Sequence, residues 1–86
     1  MSHAFNHVHI KANNPEEVAN WYVKAFDFEI LDNSTRDLGD QFVRCQTNDG
    51  VRINISSART NESLPELGPG IHLGIEHFGI EVDNMK

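Results

Sequence analysis

The sequence predicts an α+β fold, a βαβββ module whose sheet is completed by a partner chain. Three patterns predict it. Residues 5–12 alternate between apolar and polar side chains, residues 14–26 combine a helix start with apolar residues at helical spacing, and residues 41–56 resemble two strands around an Asn-Asp-Gly turn. These patterns place one helix between a first strand and a run of three more.

The first strand leads directly into the helix. Within residues 5–12, one face carries His7, His9 and Lys11, and the other carries Val8, Ile10 and Ala12. Asn14 can cap the free amides of a helix, and Pro15 suits its first position because proline lacks an N–H. We expect the helix to end near Phe26. Its predicted buried stripe is Val18, Trp21, Tyr22, Ala25 and Phe26.

Three strands are predicted after the helix. The second strand begins at residues 28–31, and residues 32–40, rich in Asn, Ser, Thr, Asp and Gly, are expected to form a turn or loop. The third covers residues 41–47. Asn48-Asp49-Gly50 predicts a hairpin turn, because Asp-Gly tolerates positive φ angles. In the fourth strand, one face is predicted to carry Val51, Ile53 and Ile55.

A repeat links the two ends of the chain. Residues 6–14 return as residues 76–84 in the same hydrophobic phase, so that His7 corresponds to His77. The segment between the modules is rich in Pro, Gly, Ser and Asn, which is typical of a linker. We therefore predict three parts: a βαβββ module at 1–57, a linker at 58–72, and the first strand of an incomplete second module at 73–86.

Size and composition limit the functional classes. Eighty-six residues form one small domain with a thin core, which makes support from a partner subunit plausible. A formal charge of −6 argues against nucleic acid as a partner. A single cysteine, Cys45, permits no internal disulfide, and no segment resembles a membrane span or a signal peptide. We expect a cytoplasmic protein that binds a small molecule or another protein.

Two histidines occupy equivalent positions of the repeat. His7 and His77 both point away from the apolar side of their predicted strands, and they could converge if the two modules pack by pseudo-symmetry. A neutral imidazole is a common ligand of Zn, Fe, Ni and Mn ions. The alternative interpretation is that each histidine makes a hydrogen bond at a strand end.

Four segments in this order carry a resemblance to a known family. They are His7 to Tyr22, Phe26-Asp27-Phe28, Asp49 to Ile55, and Glu76 to Asp83. Together they resemble the vicinal oxygen chelate superfamily, which includes glyoxalase I, bleomycin and fosfomycin resistance proteins and extradiol dioxygenases. The resemblance implies paired βαβββ modules that form a cupped sheet around a divalent metal ion. It also implies substrates that chelate the metal through neighbouring oxygen atoms.

The resemblance assigns metal ligands position by position. The family's first-strand histidine falls on His7, the histidine that opens the second module falls on His77, and the glutamate of the fourth strand falls on Asn54. Asn54 is a departure, because a neutral amide oxygen is a weaker ligand than a carboxylate and does not offset the charge of the metal.

Other polar residues on the same predicted face have two interpretations. His9 could bind substrate or act as a general base, or it could only line a cavity. Arg44 and Arg52 could hold an anionic substrate, or they could form ordinary cross-strand ion pairs. We expect Trp21 and Tyr22 to belong to the core and Cys45 to be a small buried residue.

Three functions are compatible with these features. The first is a metal-dependent lyase or dioxygenase that uses the ion as a Lewis acid. The second is a metal-free module of the resistance type that sequesters a small molecule, and the third is a truncated family member without activity. We also expect a homodimer, because the module leaves a sheet edge and apolar residues uncovered. One route is a domain swap in which residues 73–82 pack on the partner chain.

Overall fold

The computed structural model describes residues 2–66, 73–75 and 77–83, which contain one helix and one mixed sheet of four strands. The elements follow in the order β1 (His7–Lys11), α1 (Pro15–Phe26), β2 (Glu29–Thr35), β3 (Gln41–Gln46) and β4 (Arg52–Ser56). The strand order across the sheet is β1-β4-β3-β2, with β1 parallel to β4 and the other pairs antiparallel. The predicted α+β class is confirmed.

Helix α1 begins and ends as the sequence predicts. The Asn14 side chain accepts a hydrogen bond from the Glu17 amide at 3.2 Å, which satisfies one of the free N–H groups of the first turn. At the other end, Asp27 adopts a left-handed conformation and its amide bonds Val23 O.

The buried stripe of the helix differs from the predicted one. It runs through Pro15 and Ala19, with Val18, Tyr22 and Phe26 partly buried. The prediction of a core position for Trp21 is wrong: its side chain is 57% exposed and makes edge-to-face contacts with Tyr22 and Phe26. Because the small Ala19 side chain faces the sheet, the helix can approach the sheet closely. In this orientation of the helix, the Trp21 side chain lies at the edge of the helix–sheet interface and not inside it.

The core lies between α1 and one face of the sheet. Strands β3 and β4 supply Val43, Cys45, Ile53 and Ile55, each 0–4% exposed. Tyr22 stacks on Phe28, with ring centroids 5.3 Å apart and nearly parallel planes. Cys45 is a buried free thiol, as predicted. Burial also raises the pKa of this thiol.

Strand β2 is longer than the sequence predicts. The expected turn or loop at 32–40 instead continues the strand to Thr35, with an irregularity between Ile30 and Asp32. Polar residues are accommodated here because β2 is an edge strand with solvent on one side. The turn itself closes through a 2.8 Å hydrogen bond from Arg36 N to Asp40 O.

The hairpin between β3 and β4 is confirmed. Gly50 has a φ of +94°, and the Thr47 amide donates to Val51 O at 2.8 Å. A residue with a β-carbon is disfavoured at such a φ, so glycine is the natural occupant.

The C-terminal segment is not a strand in the part that the structure describes. Residues 73–75 and 77–83 have no strand assignment, which differs from the predicted strand at 73–82. Ile75, His77, Phe78 and Ile80 instead line a cavity of ≈560 Å³ with residues of β1 and α1. A strand is defined by backbone hydrogen bonds to a neighbouring strand. The described part of this segment has no such pairing, and its side chains pack around the cavity. Residues 67–72, 76 and 84–86 lie outside the described residues, so the division into module, linker and second-module strand stays a prediction.

Within the described residues, no helix is both long and apolar enough to cross a membrane.

Candidate functional site

The side of the sheet opposite α1 carries three rows of side chains, which we call the open face. Residues that pair across neighbouring strands project from the same side of a sheet. The strand register therefore defines the rows as His7, Arg52, Gln46 and Glu29; His9, Asn54, Arg44 and Asp32; and Lys11, Ser56, Phe42 and Ser34. The predicted placement of His7, His9 and Asn54 away from the helix follows from this register.

One of the two candidate anion-binding arginines is already paired. Arg44 Nε donates to Asp32 Oδ2 at 2.8 Å, and Nη2 contacts the same oxygen. The hydrogen bond from Arg44 lowers the pKa of Asp32 below its ordinary value. Arg44 therefore forms the cross-strand ion pair that was the alternative to substrate binding.

Arg52 is the cation of the open face that remains available. Its side chain is exposed, and no carboxylate in the described part of the chain lies within 4.0 Å of it. It sits at the end of β4, paired in register with His7 and diagonal to His9. A guanidinium in this position has its donors free for a ligand.

His9 is held by one hydrogen bond and one ring contact. Its Nε2 lies 2.7 Å from Ser56 Oγ, and its ring meets the ring of Phe42 edge-on at 5.3 Å. Burial lowers the pKa of His9, and the positive charges of Lys11 and Arg36 lower it further. A smaller contribution from His7 acts in the same direction, and Asp40 opposes it. These effects favour the neutral form of the His9 imidazole.

A second network adjoins the same end of the open face. The Arg36 guanidinium lies 4.2 Å from the centroid of the Phe42 ring and donates from Nε to Asp40 Oδ2 at 2.9 Å. Asp40 is fully buried, and the hydrogen bond from Arg36 lowers its pKa. This pair fixes the turn after β2 against the sheet.

The sequence did not indicate the Arg36–Asp40 pair or a role for Ser56. A turn rich in polar residues gives no signal of which carboxylate becomes buried. Strand alternation did place Ser56 on the open face, but its contact with His9 depends on the pairing of β1 with β4.

The predicted metal ligands are only partly brought together. His7 and Asn54 lie on the open face, diagonal to each other, and the Asn54 Oδ1 atom is buried without a hydrogen-bond partner. His7 Nδ1 bonds Asn6 Oδ1 at 2.8 Å, which leaves Nε2 as its possible donor atom for a metal. His77 is not part of the three rows; it lines the cavity beside Trp21 and Tyr22, which His9 also lines.

As the described residues place them, His7 and Asn54 alone do not fit a divalent metal ion. The described residues contain no group of three or more His, Cys, Asp or Glu side chains placed to hold one. A single imidazole and a neutral amide oxygen supply neither the number of donors nor the negative charge that such a site needs.

The chain matches no protein-family model, and no curated protein is significantly similar to it in sequence. The resemblance to the vicinal oxygen chelate superfamily therefore rests on the motifs quoted above.

Proposed function

We propose that the protein is a glyoxalase/bleomycin resistance/dioxygenase-like βαβββ module whose open face binds a small anion with neighbouring oxygen atoms. The observation that supports this most is Arg52, an exposed cation without a carboxylate partner among the described residues, on the same face as neutral His9. This is the metal-free, resistance-type function, and it does not require that the chain be an enzyme.

The charges of the open face favour an anionic ligand over a cationic one. Asp32 is neutralised by Arg44, and Asp40 is neutralised by Arg36. Arg52 makes no ion pair among the described residues and interacts with Asp32 only at longer range, although the protein as a whole carries a net charge of −6. A guanidinium binds a carboxylate through two parallel hydrogen bonds, which suits a ligand with two oxygen atoms on one carbon.

Oxalate is a suitable probe, because its two carboxylates present neighbouring oxygens. We expect oxalate to shift the backbone amide resonances of His9, Arg52 and Asn54 in a ¹⁵N-labelled sample. Arg52→Gln should weaken this binding by about tenfold or more, since a charge-assisted hydrogen bond contributes about 1.5–3 kcal/mol. Arg59→Gln removes the charge of another exposed arginine, outside the open face, and should leave the affinity unchanged. Equal losses in the two variants would show only a general effect of net charge.

A metal-dependent lyase or dioxygenase is the second candidate function. It is favoured by Asn54 Oδ1, a buried oxygen without a hydrogen-bond donor on the face that carries His7. Because the described residues of one chain supply no group of three or more charged or imidazole ligands, the set of His7, His77 and Asn54 would have to be completed by another chain or by water. Zn, Fe, Ni and Mn all accept imidazole ligands.

We expect any metal ion held by this set to be bound weakly and removed by a chelator, because few and mostly neutral donors give low affinity. Elemental analysis of the purified protein tests the assignment. The double variant His7→Ala, His77→Ala should retain less metal than the unaltered protein. The same metal content in both would refute these ligands.

We also propose a cytoplasmic homodimer. Cys45 is a buried free thiol, which agrees with a reducing compartment. No strand among the described residues pairs with the outer edge of β1. Near that edge, exposed apolar side chains include Trp21, Ile75, Phe78, Ile80 and Val82. A second copy of the chain would cover them.

A further inference from the structure

The hydroxyl group of Ser56 is fully buried and has one hydrogen-bond partner. Ser56 has 0% of its surface exposed, and its Oγ lies 2.7 Å from His9 Nε2. Among the described residues, this oxygen makes no other hydrogen bond. Within the described part of the chain, His9 is therefore the acceptor for the hydroxyl proton.

This geometry distinguishes the two neutral forms of the imidazole. If His9 carried its proton on Nε2, the ring would donate to Ser56 Oγ, and the buried hydroxyl proton would have no acceptor. A buried donor without an acceptor is costly. If His9 carries its proton on Nδ1, the hydroxyl donates to the Nε2 lone pair, and both groups are satisfied.

We propose that Ser56 is a positioning residue that holds His9 in the Nδ1–H form, so that His9 offers a hydrogen-bond donor to an oxyanion bound on the open face. Nδ1 has no partner among the described residues, and His9 is an exposed residue of its strand. That the ligand is an oxyanion rests on the proposed function, whereas the position of the proton on the His9 ring does not.

The consequence is a change in the role predicted for His9. A general base needs a free lone pair on the ring, and in the Nδ1–H form that lone pair is occupied by the Ser56 hydroxyl. His9 and Arg52 then both act as donors, and the ring of Phe42 keeps the imidazole in place. Such a face recognises a carboxylate by its acceptor oxygens and discriminates against ligands whose polar groups are donors.

Long-range ¹H–¹⁵N correlation spectra of the free protein at pH 7.5 test the ring state directly. We expect His9 Nδ1 to have the chemical shift of a protonated ring nitrogen and Nε2 that of an unprotonated one. The reverse assignment in the unaltered protein would overturn the proposal without any substitution.

Two variants separate the hydrogen bond from simple packing. Ser56→Ala removes the donor with little change in volume, so the Nε2–H form should become populated. Phe42→Leu removes the ring contact but leaves Ser56 in place, and the Nδ1–H form should persist. An unchanged ring state in Ser56→Ala would contradict the positioning role.

Titration with oxalate separates this inference from the proposed function. Ser56→Ala should weaken oxalate binding by about threefold, because part of the population must change its ring form before it can donate. If oxalate binds the unaltered protein while His9 is in the Nε2–H form, the positioning role is wrong and the binding function stands. If His9 is in the Nδ1–H form and oxalate does not bind, the function is wrong and the role of Ser56 stands.

Discussion

Ile55→Ala is expected to lower the free energy of unfolding by about 2–5 kcal/mol, the range for removing a large aliphatic side chain from a core. Ile55 is 0% exposed and lies on β4, which pairs with β1 on one side and β3 on the other. The resulting cavity is therefore bounded by three strands and the helix layer and has little room to collapse. Because the total stability of a domain is about 5–15 kcal/mol, such a loss is a large fraction of it.

Urea denaturation followed by circular dichroism measures the effect. Ile55→Val removes one methylene group and should cost about 0.5–1.5 kcal/mol. Leu38→Ala is the matched control, because Leu38 is 58% exposed and its truncation should change stability by no more than about 0.5 kcal/mol. A loss for Ile55→Ala no greater than that for Leu38→Ala would mean that the core does not lie where the structure places it.

The elements with a regular pattern could be predicted from the sequence. The Asn14 cap, the proline at the first helical position and the Asp-Gly turn are local signals, because each acts through neighbouring residues. The extension of β2 could not be predicted in this way. Its residues after Leu31 are polar, and they form a strand only because β3 pairs with them.

The sequence predicted which face of the sheet carries the candidate site residues, but it did not predict which of their side chains touch. Alternation alone put His7, His9 and Asn54 on the side away from the helix. The contact between His9 and Ser56 requires β1 to pair in parallel with β4, two strands that are far apart in the chain. The repeat suggested that His77 would join His7, yet sequence similarity between two segments does not determine where the second one packs.

We expect the protein to assemble as a dimer in solution. The outer edge of β1 presents backbone groups that no strand in the described residues satisfies. Phe78, Ile80 and Val82 are 38–43% exposed, and Trp21 is 57% exposed. Edges and apolar surfaces of this kind favour association. A second copy suits this surface because a two-fold pair would cover the same edge and the same apolar side chains on both chains at once.

Sedimentation equilibrium at micromolar concentration should therefore give twice the chain mass of 9.7 kDa. Phe78→Asp places a charge in the apolar surface and should shift the protein to monomer, because a carboxylate buried at an interface without a partner is strongly unfavourable. Leu38→Asp introduces the same charge at another exposed apolar position, in the turn between β2 and β3, and should leave the dimer intact.

If residues 58–72 act as the hinge of a swap, shortening that segment should also change the mass measured by sedimentation. The length of a hinge decides whether the residues after it reach their own module or the partner's. A folded monomer across the whole concentration range would show that one chain covers the edge of β1 by itself, and a metal site shared between two copies would then be excluded as well.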